Sequence, residues 1–176
     1  MLRRLAIGIG VVAALSVAGL VLVPRQQLAG ESPSDREAPV IVFVCQNGVA
    51  MSIWSALTFE RLAAARGLPY RAMSRASAAT FTDVPLRMRF ALALEGYGVG
   101  AYRPHVVSAA DVRTAARVIL IDTELPATAS SESAAVEHWS GFPPMRERYF
   151  ESRAALRARV EALVAGLASE GEPGAR

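Results

Sequence analysis

Val40-Ile41-Val42-Phe43-Val44 is an unbroken apolar run in which every residue but Phe43 is β-branched. Such a run has no polar face to turn to solvent, so it reads as a strand buried on both sides. That is the character of a central strand in a parallel sheet covered by helices on both faces. The run stops at Cys45 and the polar, glycine-containing turn Gln46-Asn47-Gly48. Helical spacing follows at Ile53, Trp54, Leu57, Phe59 and Leu62 and leads to Arg66-Gly67, where Gly67 suits a helix C-cap.

The alternation continues downstream. Pro69 precedes a second extended run, Tyr70 to Ser74, and Pro85 to Tyr97 predicts a helix with Leu86, Phe90, Leu92 and Leu94 among its apolar positions. Ser108-Ala109-Ala110-Asp111 reads as the capped start of a short helix. Arg117 to Asp122 is a second strongly apolar strand, Val136 to Trp139 a shorter last one, and Arg146 to Ala168 an amphipathic C-terminal helix. There is no internal repeat. The expected fold class is α/β: a single doubly wound domain with about four parallel strands flanked by helices. Ligands of such sheets bind beyond the carboxyl ends of the strands, and the first strand delivers Cys45 to that place.

Composition narrows the chemistry. The net charge is +3 and every basic residue is arginine, scattered without a block of like charges, so no nucleic-acid partner is expected. One cysteine excludes an internal disulfide and a cysteine-rich metal site. His105 and His138 are the only histidines and have no ligand spacing, so neither a metal nor a cofactor is expected.

The N-terminus is of another kind. Leu5 to Val23 carries no charge, follows Arg3-Arg4 and ends at Pro24-Arg25. As a helix it would be roughly 28 Å long, close to the hydrocarbon thickness of a bilayer. The apolar core of a cleaved signal peptide is shorter, and Leu28-Ala29-Gly30 is no clean A-x-A site. An uncleaved anchor is therefore read ahead of a cleaved signal, with a start codon further downstream as the other alternative. The paired arginines place the domain on the extracytoplasmic side. The organisation expected is a signal anchor or signal peptide over 1–30, a polar, proline-containing linker over 31–39, the α/β domain over 40–170 and a flexible tail over 171–176.

A thiol at a strand-to-helix turn lies beneath a helix N-terminus and beside free backbone N–H groups, which favours a thiolate or a bound oxyanion. Ser52 has two open roles: capping the next helix, or donating its hydroxyl to the sulfur. The simpler alternative for Cys45 is a small buried hydrophobe that ends a strand.

Phe43-Val44-Cys45, five loop residues, then Met51-Ser52 and a helix resembles the low-molecular-weight protein tyrosine phosphatase family, which includes the thioredoxin-coupled arsenate reductases. Further matches are the Ser74 region, the helix end from Leu92 to Gly96, Val107 to Asp111, and His138-Trp139 followed by Pro143-Pro144. The resemblance runs from Val40 to about Ala168 and implies a phosphotyrosine phosphatase I-like fold. It implies Cys45 as nucleophile, Ser52 as its supporting hydroxyl, and Gln46, Asn47, Gly48, Val49, Ala50 and Met51 as an oxyanion-binding loop. The implied ligand is a phosphate-like oxyanion or a phosphorylated substrate.

The departures are specific. The family's clamping arginine falls on Met51, and a thioether cannot replace a guanidinium fork. The loop asparagine is displaced, because Asn47 stands two positions after the cysteine and the family has it three after. The family's general-acid aspartate falls on Pro143, and neither Glu137 nor Glu147 occupies the motif. The expectation is a domain weakly active or inactive as a phosphatase. The alternative is an active phosphatase, or an arsenate reductase relative that uses an external thiol, since no second cysteine is present to resolve the first. Arg75 and Trp139 are possible rim residues, with Arg103 and His105 weighed beside them; each also reads as ordinary surface or core, and Trp54 reads as core.

Overall fold

The computed structural model describes residues 26–27, 38–78, 80–130 and 135–171. The Leu5–Val23 segment lies outside them, with most of the 31–39 linker and nearly all of the tail. No helix among the described residues is long and apolar enough to cross a membrane.

In chain order the elements are β1 (Gln26–Gln27), β2 (Val40–Cys45), α1 (Met51–Ala65), β3 (Arg71–Ala76), α2 (Leu86–Leu94), β4 (Tyr97–Gly98), α3 (Ala109–Thr114), β5 (Ala115–Ile121), β6 (Ala135–Trp139) and α4 (Tyr149–Gly171). A short 3-10 turn covers Ala127–Ala129. Four strands form one sheet in the order β3-β2-β5-β6, and every pairing in it is parallel. The doubly wound, four-stranded α/β architecture expected from the alternation is the one observed.

The apolar run of β2 is buried on both faces because a parallel strand at the sheet centre has helices on each side. Ile41, Phe43 and Cys45 point into one core with Trp54, Leu57 and Phe59 of α1, Leu156 and Val160 of α4, and Trp139 of β6. Val42 and Val44 point the other way, with Val112 of α3, Val118, Leu120 and Ala129. Phe43 anchors the larger core between two rings, 5.8 Å from the centroid of Phe59 and 5.9 Å from that of Trp139.

Element ends follow their local chemistry. Gly67 has φ +66, and Leu68 N–H to the Ala63 carbonyl with Gly67 N–H to the Ala64 carbonyl closes α1 in a Schellman arrangement. The helix expected to reach Tyr97 stops at Leu94, because Gly96 at φ +82 turns the chain into β4. The last helix starts at Tyr149, three residues later than expected, after a turn in which the Glu147 and Arg148 amides donate to the Pro144 carbonyl. Ser108 and Asp111 form a full capping box on α3.

Candidate functional site

Cys45 is the last residue of β2, and its backbone carbonyl accepts from Ser77 N–H at 3.0 Å. The loop 46–50 therefore leaves the sheet alongside the end of β3 before α1 begins at Met51. Cys45 is 4 % exposed, and its Sγ lies 3.0 Å from Ser52 Oγ. Of the two roles open to Ser52, the structure selects the second: α1 is entered through Ala50 with no side-chain cap, and the Ser52 hydroxyl faces the sulfur.

The contact extends inward as a chain of hydroxyls. Ser74 Oγ donates to Ser52 Oγ at 2.9 Å, and Tyr102 OH lies 3.1 Å from Ser74 Oγ and 2.8 Å from the Gly48 carbonyl oxygen. With Tyr102 donating to Gly48, Ser74 to Ser52 and Ser52 to Cys45, one hydrogen-bond donor ends at the sulfur. A hydroxyl so placed can donate to the sulfur, the geometry a cysteine nucleophile or leaving group would use. Ser74 is 1 % exposed and lies within β3. It faces the loop because side chains alternate along a strand, which puts Ala72, Ser74 and Ala76 on one side.

Gly48 holds the turn. Its φ is +67, and a Cβ there would meet Ala76 Cβ and Ala76 N at 3.2 Å. Gly48 stands three residues after Cys45, where the resembling family has its asparagine, and it supplies the left-handed conformation through glycine. Asn47 is turned outward and accepts from Thr80 Oγ1 at 2.6 Å.

Tyr102 carried no local sign of a role in the sequence. It is brought to the loop because the segment after β4 returns along the edge of β3: Ala76 N–H donates to the His105 carbonyl, and Val107 N–H to the Ala76 carbonyl, each at 2.8 Å. Burial pushes the Tyr102 phenol up from its ordinary 10.0 to about 12, while the neighbouring Ser74 hydroxyl, able to turn its proton toward a phenolate, acts in the opposite direction. Its neutral form is thus the one the fold favours. The stability this gives is complete below pH 10 and lost as pH rises through 12. Tyr102→Phe is expected to lower unfolding free energy by about 1–3 kcal/mol, because the buried Gly48 carbonyl loses its donor. Urea titrations at neutral pH and across that alkaline window should show the gap between the two proteins closing in the window; a constant gap would contradict the assignment.

The side chains of both proposed rim residues have other partners. Arg75 alternates to the opposite sheet face from Ser74, where Nη2 meets Asp111 Oδ1 at 3.0 Å. Burial alone would raise the Asp111 carboxyl, but hydrogen bonds from Arg75 and Ser108 outweigh it and lower its pKa. Trp139 is 1 % exposed, packed edge-on against Phe43 with Nε1 donating to Glu137 at 2.6 Å. Arg103 pairs with Asp83 at 3.3 Å, and Trp54 is fully buried with its Nε1 on Glu95. Met51 is half-buried against the larger core.

Pro143 sits in a loop whose backbone is held by Asp122, the other residue not singled out from sequence. Asp122 follows β5 at φ +46, and its two carboxylate oxygens accept from Gly141 N–H at 2.8 Å and Phe142 N–H at 3.1 Å. Both oxygens hold the loop. Among the described residues no group of histidine, cysteine, aspartate and glutamate side chains could hold a metal ion.

The sheet order and the loop after β2 give a fold like that of low-molecular-weight phosphatases and arsenate reductases. No family model and no curated protein matches the sequence. Solved structures do. YfkJ from Bacillus subtilis is similar at TM-score 0.68 and 18% identity, over 81% of this chain and all (100%) of that one. A low-molecular-weight protein tyrosine phosphatase from T. tengcongensis gives 0.57 and 16%, over 73% of this chain and 99% of its own. An arsenate reductase in the phosphate-binding state gives 0.59 and 17%, over 73% and 98%.

Proposed function

We propose that this chain is a membrane-tethered, extracytoplasmic domain that keeps the framework of a cysteine phosphatase loop, binds a phosphate-like oxyanion weakly, and turns over phosphate esters slowly if at all. The observation that carries this reading is the pairing of Cys45 Sγ with Ser52 Oγ at 3.0 Å while Met51 stands where a guanidinium would be needed. Arg75 does not replace it, since Asp111 holds that side chain on the other face of the sheet. The phosphate-binding state of one structural neighbour supports an oxyanion as the ligand.

Attack by the Cys45 thiolate on phosphorus would form the S–P bond as the ester P–O bond breaks. The transferring group then carries charge on three oxygens, and loop amides alone must balance it. Losing one charge-assisted donor of this type costs on the order of 10²–10³ in rate. The departing alkoxide needs a proton, and Pro143 has none to give. The tether rests on Leu5–Val23, whose length and lack of charge suit a span, with Arg3-Arg4 favouring an outside domain.

The test is turnover of an aryl phosphate by the full chain in detergent, with Cys45→Ser beside it and phosphate and arsenate binding followed by calorimetry. Expected are weak oxyanion binding and turnover far below a typical enzyme rate of about 10 s⁻¹. Turnover near that rate, abolished in Cys45→Ser, would overturn the degenerate-site reading. Arsenate reduction that needs only an added small thiol would favour the reductase alternative.

A further inference from the structure

Helix α2 has two apolar faces and only one is covered. At about 100° per residue, Met88 and Leu92 fall opposite Leu86, Phe90 and Leu94. Met88 and Leu92 are buried, while the other three are 83 %, 65 % and 74 % exposed. A single exposed apolar side chain is ordinary; three in register on one helix make a stripe that asks for a partner. Phe150, near the start of α4, is also 74 % exposed. Glu95 joins the two elements there, taking a hydrogen bond from Tyr149 and lying 3.3 Å from Arg153 Nη1.

The charges on α2 itself are of one sign, although Asp83, just before the helix, pairs with Arg89. Arg87 and Arg89 flank it on either side, and α2 contains no acidic residue. Arginines bordering an apolar stripe can lay their stems on a lipid surface and keep their heads among phosphates.

The path of the chain supplies the occupant. β1 (Gln26–Gln27) pairs in parallel with β4, Gln26 opposite Tyr97 and Gln27 opposite Gly98. The direction is shared, so chain arriving at Gln26 comes from the Gly96 side, which is the C-terminal end of α2. Val23, the last residue of the apolar N-terminal segment, is three residues earlier, a reach of at most about 11 Å. Chain length alone therefore keeps the end of the segment read above as a membrane span within that reach of Gln26, which pairs with the strand following α2.

We propose that the face formed by Leu86, Phe90, Leu94 and Phe150 rests on the bilayer into which Leu5–Val23 inserts, seating the domain in one orientation on anionic lipid. This rests on the membrane reading of the N-terminal segment. The test uses the full chain with Cys45→Ser, to which Phe90→Cys, Leu94→Cys or, as a control on exposed α3, Arg113→Cys is added. Each is nitroxide-labelled and reconstituted into phosphatidylcholine vesicles containing phosphatidylglycerol. Labels at 90 and 94 should collide with oxygen several-fold more, relative to an aqueous nickel chelate, than the label at 113. If the chain floats with the vesicles but labels at 90 and 94 behave as at 113, the docking face is overturned and the anchor stands. If those labels are shielded from both reagents, protein covers the stripe, either the N-terminal segment or a second copy, and the bilayer proposal is overturned. A chain that does not float overturns the anchor and the proposal with it.

Discussion

Met51→Arg is expected to raise Cys45-dependent hydrolysis of an aryl phosphate by on the order of 10² or more, the inverse of what removing one such donor costs. The position is favourable for the gain. Met51 is the first residue of α1, the Ser52 and Ser74 hydroxyls are already in place behind the sulfur, and Gly48 has the left-handed turn that wraps the loop. A guanidinium there supplies two parallel N–H donors to a dianion, where the methionine thioether supplies none. The substitution carries its own independent readout. A cation at a helix N-terminus opposes the helix dipole, so the apo variant should be less stable than the parent by about 0.3–1 kcal/mol, and phosphate should restore it. Thermal unfolding with and without phosphate, together with turnover in Met51→Arg and Met51→Arg/Cys45→Ser, checks both. A variant that gains phosphate-dependent stability but no turnover would place the deficit on the missing general acid at Pro143.

Gly48→Ala is expected to cost about 1–3 kcal/mol of stability, the usual range for forcing an ordinary residue into the left-handed region in a packed loop. Two causes add at this residue. The backbone has φ +67, and the new methyl would sit 3.2 Å from Ala76 Cβ and from the Ala76 amide, which is itself fixed by its bond to the His105 carbonyl. The backbone contact cannot rotate away as a flexible side-chain end would. Movement of residue 48 also displaces the carbonyl that Tyr102 holds, so alkylation of Cys45 by iodoacetamide should change in rate together with the stability loss. Gly48→Asn separates the two causes. Asparagine tolerates the left-handed region but brings the same Cβ, so a loss as large as that of alanine would assign the cost to the contact with Ala76, and a much smaller loss to the backbone. Denaturant unfolding of the three proteins gives the answer; no loss in either variant would contradict the tight approach.

Much of this site was readable in one dimension because its framework is local. Cys45, Gly48 and Ser52 lie within eight residues at the end of an apolar run, and a strand followed by a turn and a helix brings such residues together whatever the remaining fold. Met51 and Pro143 were visible as departures for the same reason, since each is a single position in a short motif. Other contacts were not local. Tyr102 is separated from Gly48 by 54 positions and reaches it only because the chain returns along β3, while Asp122 holds a loop 19 to 20 positions further on. Arg75 shows the converse: it is next to Ser74 in sequence, yet strand alternation turns it through the sheet to Asp111.

The sequence by itself determined the class of architecture and the place of the chemistry. Runs buried on both faces, alternating with helical periods, admit few arrangements other than a parallel doubly wound sheet, and its first strand ends at the only cysteine. Tertiary structure alone decided what surrounds that cysteine: a hydroxyl chain through Ser52 and Ser74 to Tyr102, an arginine removed to the opposite face, and a tryptophan consumed by the core. The physical reason is that periodicity reports which side of an element is buried, whereas a hydrogen bond reports which two distant side chains the packing of different elements brings within about 3 Å.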